Sequence, residues 1–173
     1  MHSHLNISPL HIRDATLADA PALNHFMLRL ESEALPTIYT LEHRLTIESE
    51  LAAIRRLNDS PNSLFLLAER NGEIVGAMDM QGMRHPQCRH VGYVGLTVRR
   101  DVRGQGVGSA LFNALFERAE SVGVTRLELE VFANNPRAIA LYERMGFHVD
   151  GLRPCLVRLG AEFIDVVVMG RSV

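Results

Sequence analysis

Apolar positions along the chain change period several times, and each change marks an element. Residues 1–8 show no such rhythm and read as a mobile leader, so one folded domain is expected over 9–173. LHIRDA (10–15) alternates and reads as a first strand. Thr16 or Asp19 caps a helix running to about Glu33, with Leu23, Phe26, Met27 and Leu30 on one face. Pro36 interrupts, and a second helix near 41–57 turns Leu45, Leu51, Ile54 and Leu57 inward before Asn58–Asn62 ends it. Strands at 63–70 and 73–81 are joined by Asn71–Gly72, a hairpin turn by composition. A polar loop (82–89) leads to a strand at 90–98. A helix follows Gly106, then a strand (126–133), a helix (136–145) and two closing strands (147–158 and 162–170) that turn near Leu159–Gly160. The order is β-α-α-β-β-β-α-β-α-β-β.

Composition narrows the classes. The 173 residues are 47% hydrophobic with a formal net charge of −2, a normal core with no bulk charge to attract nucleic acid or membrane. No apolar run is long enough to cross a bilayer and no signal-peptide pattern is present, so a cytoplasmic location is expected. Two cysteines, Cys88 and Cys155, make neither a disulfide framework nor a metal spacing, and the eight histidines are scattered; no metal is expected. All 18 basic residues are Arg, which excludes a lysine P-loop and lysine Schiff-base chemistry.

The densest chemical signal is VGLTVRRDVRGQGVGSA (94–110). A short strand runs into a basic turn with Arg99, Arg100 and Arg103. Gly104, Gly106 and Gly108 follow, and then an amphipathic helix. Backbone N–H groups at such a helix start form a seat for phosphate. A dinucleotide fingerprint would need glycine at Ser109 or Leu111, so that cofactor class does not fit. A second block, LELEVFANNPRAIALYERMGF (127–147), ends a strand at Asn134–Asn135. It starts a helix with Asn135 as N-cap and Pro136 at the first position, and closes it with Gly146.

Together the two blocks resemble the GCN5-related N-acetyltransferase (GNAT) superfamily. Arg103, Gly106 and Gly108 match its acetyl-CoA signature. Glu130, Val131, Asn135, Ala138, Leu141, Tyr142, Gly146 and Phe147 match the second half of its cofactor site. The likeness extends over about 9–171, and in its last stretch Glu162, Phe163, Asp165, Met169 and Arg171 resemble bacterial L-amino-acid and phosphinothricin-like N-acetyltransferases. It implies an α/β (α+β) GNAT fold: a central mixed, mostly antiparallel twisted sheet of about seven strands flanked by four helices.

The resemblance also implies roles. Leu96, Thr97 and Val98 offer backbone groups to the amide-rich arm of acetyl-CoA, on a strand whose Gly92 and Gly95 fit a bend or, alternatively, tight packing. The pyrophosphate is expected on the N–H groups of Arg103, Gly104, Gln105, Gly106, Val107, Gly108 and Ser109, with Asn135 near the pantetheine amide. Tyr142 resembles the family's general acid, a phenol being protonated at neutral pH. Glu130 is the candidate general base through a water, with ordered water alone as the alternative; both residues also read as ordinary packing and surface positions. The strand 90–98 carries no carboxylate. The acceptor is expected among His25, Arg29, Glu31, Glu33 and Tyr39 on one side and 153–162 on the other, where acids suit an ammonium and Arg29 or Arg153 a carboxylate. Three functions stay open: acetylation of a small amino-acid-like amine, acetylation of a protein N-terminus or lysine, and non-catalytic acyl-CoA sensing. A homodimer is expected from the family and from Ile164, Val166, Val167 and Val168 in the final hairpin.

Overall fold

The computed structural model describes residues 9–32 and 46–173. The leader 1–8, together with Glu33, Pro36, Tyr39 and Leu45, lies outside the described residues. Within them the chain starts with β1 (His11–Asp14) and α1 (Ala20–Ser32), then α2 (Ile47–Asn58), β2 (Leu64–Arg70) and β3 (Glu73–Gly82). β4 (Val91–Val98), α3 (Val107–Ala119) and β5 (Arg126–Phe132) follow. α4 (Pro136–Arg144), β6 (His148–Leu159) and β7 (Glu162–Ser172) complete it. The expected fold is present: seven strands in the order β1-β2-β3-β4-β5-β7-β6, every pair antiparallel except β4 with β5, and four α-helices among the described residues.

Local chemistry accounts for most boundaries. Both candidate caps of the first helix are used. Thr16 and Asp19 form a capping box around a short 3₁₀ turn (Leu17–Asp19), and α1 continues from it. Arg13 on β1 bonds Asp19 (2.7 Å) and Glu69 on β2 (2.6 Å), joining helix start to sheet. That pairing, mainly the Arg13 hydrogen bond, holds the Asp19 carboxyl down at about 2. α2 begins at Ile47 rather than near 41, because Thr46 and Ser49 cap it reciprocally. The Asn71–Gly72 turn has φ of 55° and 75°, as a tight hairpin requires.

Helices cover both faces of the sheet. α3 and α4 pack on one face over Leu66, Met78, Met80, Leu127, Leu129 and Val131. α1 and α2 pack on the other over Phe65, Leu67, Ile74 and Ala77. β6 departs from the continuous strand expected at 147–158. Its register shifts twice, and Cys155 sits at φ 55° with its N–H donated to the Asp165 carboxylate (2.7 Å). Ile164 and Val166 of the last hairpin are buried, so they carry no dimer surface; Val149, Leu152, Leu156, Leu159 and Phe163 are the exposed large apolar residues there.

Glycines mark the tight approaches. A Cβ at Gly82 would fall on the side chain and backbone carbonyl of Asn62, whose amide ties down the Met83 and Arg89 carbonyls. Gly82→Ala is expected to cost about 2 kcal/mol or more in urea unfolding, against less than about 0.5 kcal/mol for Gly151→Ala, whose site is open.

Candidate active site at the parting of two parallel strands

β4 and β5 pair only over Val91–Tyr93 and Arg126–Glu128. Beyond that point each stays with its outer neighbour. β4 remains registered on β3 from Val94↔Met80 to Val98↔Gly76, and β5 remains on β7 from Leu129↔Met169 to Phe132↔Val166. The inner edge of Val94–Val98, including Leu96, Thr97 and Val98, therefore faces an opening instead of a strand. Backbone groups along such an edge suit an amide-bearing extended ligand. No register shift interrupts β4 against β3. Gly92 and Gly95 serve close packing: a Cβ there would lie 2.7 Å from Met80 Cγ and 2.5 Å from Asp79 Oδ1 respectively.

The basic turn leads from the opening to α3. Gly104 and Gly106 sit at φ 79° and 83°, and Gly106 is the N-cap of α3. Beyond its chain neighbours nothing lies within 4 Å of where a Gly106 Cβ would stand, so the start of the helix is open on that side. Val107, Gly108 and Ser109 supply the N–H groups that a helix start leaves without intrahelical partners. The amides of Arg103 and Gln105, also expected to face phosphate, bond the Arg100 and Val102 carbonyls (3.3 Å each). Gly108 sets packing, its Cβ position being 3.0 Å from Leu141 and 3.5 Å from Leu96. Arg103 Nε donates to the Val98 carbonyl (3.0 Å), while Arg99 is held by Glu73 (2.8 Å) and Asp101 (2.7 Å). Two further cations border the turn. Arg137 Nη2 lies 3.7 Å from the Gly104 Cβ position, and Arg70 donates to Gln105 Oε1 (2.6 Å). No periodicity announces either, because both arrive from other elements.

On the α3/α4 face, Asn135 caps α4 by accepting from Ala138 N–H (3.2 Å). Tyr142 is two turns later, buried, with Phe112 edge-on at 5.8 Å and Phe147 at 6.2 Å. Burial pushes its phenol up to about 12.

The opposite face is charged. Register places Tyr93, Glu128 and Glu130 on it together, and Arg153 of β6 pairs with Glu130 at 2.5 Å. Glu130 and Tyr142 thus flank the opening from opposite faces of the sheet. Burial, then the neighbouring Glu128 charge, pushes the Tyr93 phenol up. Asp79 stands on the same face, registered against Gly95 and beside Gln81↔Tyr93. Protein atoms surround its carboxyl closely, although an edge of the residue stays open to water, and burial pushes it up to about 6. β4 has no carboxylate, but the neighbouring strand supplies one across a glycine. A charged residue at an inward position of the apolar run Gly76–Met80 is the signal that marks it.

Of the remaining acceptor candidates, His25 is exposed on α1 and Arg29 lies 3.6 Å from Asp101. Glu33, Tyr39 and the side chain of Glu31 lie outside the described residues. Of the tail residues, Glu162 and Phe163 are exposed and the other three are structural. Asp165 pins β6, Met169 is buried, and Arg171 stacks on Phe116 at 3.7 Å while donating to the Met145 carbonyl. Among the described residues, no group of three or more His, Cys, Asp or Glu is placed to hold a metal, and no helix is long and apolar enough to cross a membrane.

Comparison with known proteins agrees with this geometry. A family model described as the acetyltransferase (GNAT) family matches residues 25–147. The chain is 28% identical to L-amino acid N-acetyltransferase AaaT of Escherichia coli (strain K12) over 166 residues, 95% of this chain and 99% of that protein. It superposes on a GNAT-family acetyltransferase from Streptococcus pneumoniae with a TM-score of 0.89 and 30% identity, covering 95% of this chain and all of that one. A ribosomal-protein-alanine N-acetyltransferase from Brucella melitensis matches at TM-score 0.84 and 27% identity, covering 94% and 99%.

Asp79 carries a measurable signature. Its folded-state carboxyl binds a proton more tightly than the unfolded one, so ionisation favours unfolding as pH rises from about 4 through about 6. Asp79→Asn is expected to raise stability at pH 8 by on the order of 2 kcal/mol, with the gain shrinking toward zero near pH 4, in urea titrations at both pH values.

Proposed function

The chain belongs to the acetyltransferase (GNAT) family, and from that premise we propose that it acetylates the amine of a small amino-acid-like molecule. As an acyltransferase of this family it uses acetyl-CoA, whose thioester supplies the activated acetyl group. The observation that carries the acceptor class is the Glu130–Arg153 pair at the mouth of the parting. A carboxylate and a guanidinium side by side are complementary to a zwitterion. The acceptor's ammonium replaces Arg153 at Glu130, and its carboxylate replaces Glu130 at Arg153 with bidentate geometry available. The likeness to an L-amino acid N-acetyltransferase supports the same class.

The remaining roles follow from position. Leu96, Thr97 and Val98 pair with the amide-rich arm of the donor along the open edge. The amides of Gly106, Val107, Gly108 and Ser109, at the positive end of α3, receive the pyrophosphate; the turn at Gly104 and Gln105 sets Arg103, Arg70 and Arg137 beside it. Asn135 borders the pantetheine, and Glu130 meets the amine directly or through a water. Tyr142 donates its hydroxyl hydrogen to the departing sulfur. The buried phenol at about 12, set against a thiol that keeps its water value near 8.5, implies about 5 kcal/mol against complete transfer. The dry aromatic setting raises a thiolate for the same reason that it raises the phenol, and so narrows that gap. The reading places the enzyme in the cytoplasm as a homodimer through the exposed apolar residues of β6 and β7.

A peptide N-terminus is the second reading, favoured by the likeness to the ribosomal-protein-alanine enzyme. Thiol release from acetyl-CoA, measured against free amino acids, polyamines and short peptides, separates the two. Turnover is expected with free amino acids. Tyr142→Phe is expected to lower kcat at least tenfold, about 1.4 kcal/mol of barrier. Arg153→Ala is expected to raise KM for the amino acid about tenfold or more while acetyl-CoA affinity is unchanged. Turnover of peptides alone would reverse the acceptor assignment.

A further inference from the structure

Asp79 has no part in the roles above, and packing does not explain it. It interrupts an apolar strand between Met78 and Met80, both buried, and its carboxyl occupies the space over Gly95 that a side chain would otherwise fill. Among the described residues, no side chain forms an ion pair or donates a hydrogen bond to it within bonding distance. It senses Arg56 of α2 by charge and accepts from its own backbone N–H. A carboxylate held this deep without a partner costs stability, and Asn would fill the space without that cost. Glu130, by contrast, is already held at 2.5 Å by Arg153.

Resting on the amine-acetylation reading, we infer that Asp79 is the residue that takes the proton from the acceptor's ammonium, while Glu130 and Arg153 hold the acceptor. The carboxyl lies over β4 next to the point where its inner edge becomes free, and one strand spacing is about 4.8 Å, so the opening is within reach of a hydrogen bond or one water. One N–H bond of the ammonium breaks and its proton passes to an Asp79 oxygen. The freed lone pair forms the C–N bond to the acetyl carbon as the C–S bond breaks. Nitrogen releases its second proton to solvent. The sulfur gains one from Tyr142, which is refilled from solvent, as Asp79 empties to it. The sum is one amide, one thiol and one released proton.

Arg56 of α2 is the charge that Asp79 feels; α2 also carries the buried Glu50, and the same face of the sheet bears Tyr93 of β4, Glu128 and Glu130 of β5 and Arg153 of β6. α1 brings the exposed His25, and Arg29, which lies near Asp101. Asp79 is the carboxyl among them that is both unpaired and placed at the opening.

The test is kcat/KM against pH for wild type, Asp79→Asn and Gly95→Ala, with acetyl-CoA affinity measured by calorimetry and Tm by melting. Wild type is expected to lose activity below about pH 6. Asp79→Asn is expected to lose at least 30-fold in kcat, to lose that acidic limb, and to keep acetyl-CoA affinity with an equal or higher Tm. Gly95→Ala keeps the charge but displaces the carboxyl, and is expected to lower kcat at least fivefold; it decides the matter if Asp79→Asn does not fold. Activity and acidic limb within threefold of wild type in a folded variant overturns the assignment. So does loss of activity accompanied by loss of acetyl-CoA binding. Wild type that binds acetyl-CoA yet turns over no amine defeats the acetylation reading itself, and this inference falls with it.

Discussion

Two parallel strands that start as partners and then separate impose the main constraint on this molecule. Each stays bonded on its outer side, β4 to β3 and β5 to β7, so the sheet remains continuous at Val91–Tyr93 and open beyond it. Unmade backbone hydrogen bonds are costly only when water cannot replace them. An open, wettable gap is therefore a tolerable state, and an amide-rich ligand is the natural filler. The glycine turn follows from the same arrangement. β4 ends at Val98 beside the gap, and the chain turns through 99–106 into α3.

The parting also separates two environments. On one side Phe112, Phe116, Tyr142 and Phe147 form a dry aromatic cluster that keeps a phenol protonated. On the other, Tyr93, Glu128, Glu130 and Arg153 form a polar, charged surface, with the enclosed carboxyl of Asp79 on the same face. A hydrogen-bond donor for a leaving sulfur and acids for an incoming ammonium want these opposite settings. On the proposed reading, the two faces of a single sheet beside its own gap supply both.

Rigid anchors around the gap support this division. Arg13 ties the first helix to two strands, and Arg171 of β7 joins α3 by stacking on Phe116 and the end of α4 by bonding the Met145 carbonyl. Asp165 locks the irregular part of β6, which delivers Arg153 to Glu130. With 18 arginines and no lysine, planar forks meet most of these demands, since several of them need two hydrogen bonds in fixed directions.

What the sequence by itself determined is what neighbouring residues decide between them. The Asn71–Gly72 turn, the Thr16–Asp19 box, the Asn135–Pro136 helix start and the alternating glycines at 104–108 rest on contacts a few residues apart. Each was legible with its element type and nearly its boundary. The element order was legible in the pattern and the mixed, mostly antiparallel sheet of about seven strands through resemblance; the order of the strands within the sheet was not. Other features were decided only in three dimensions. Asp79 meets Gly95 through strand register, Arg153 meets Glu130 through a bulged hairpin, and Arg137 reaches Gly104 from another helix. Nothing local distinguishes Glu130 as an ion-paired residue or Asp79 as an unpaired one, since burial and pairing depend on residues tens of positions away. The local rules set the frame and the glycine turn that starts α3; the long-range register set the charges beside the opening.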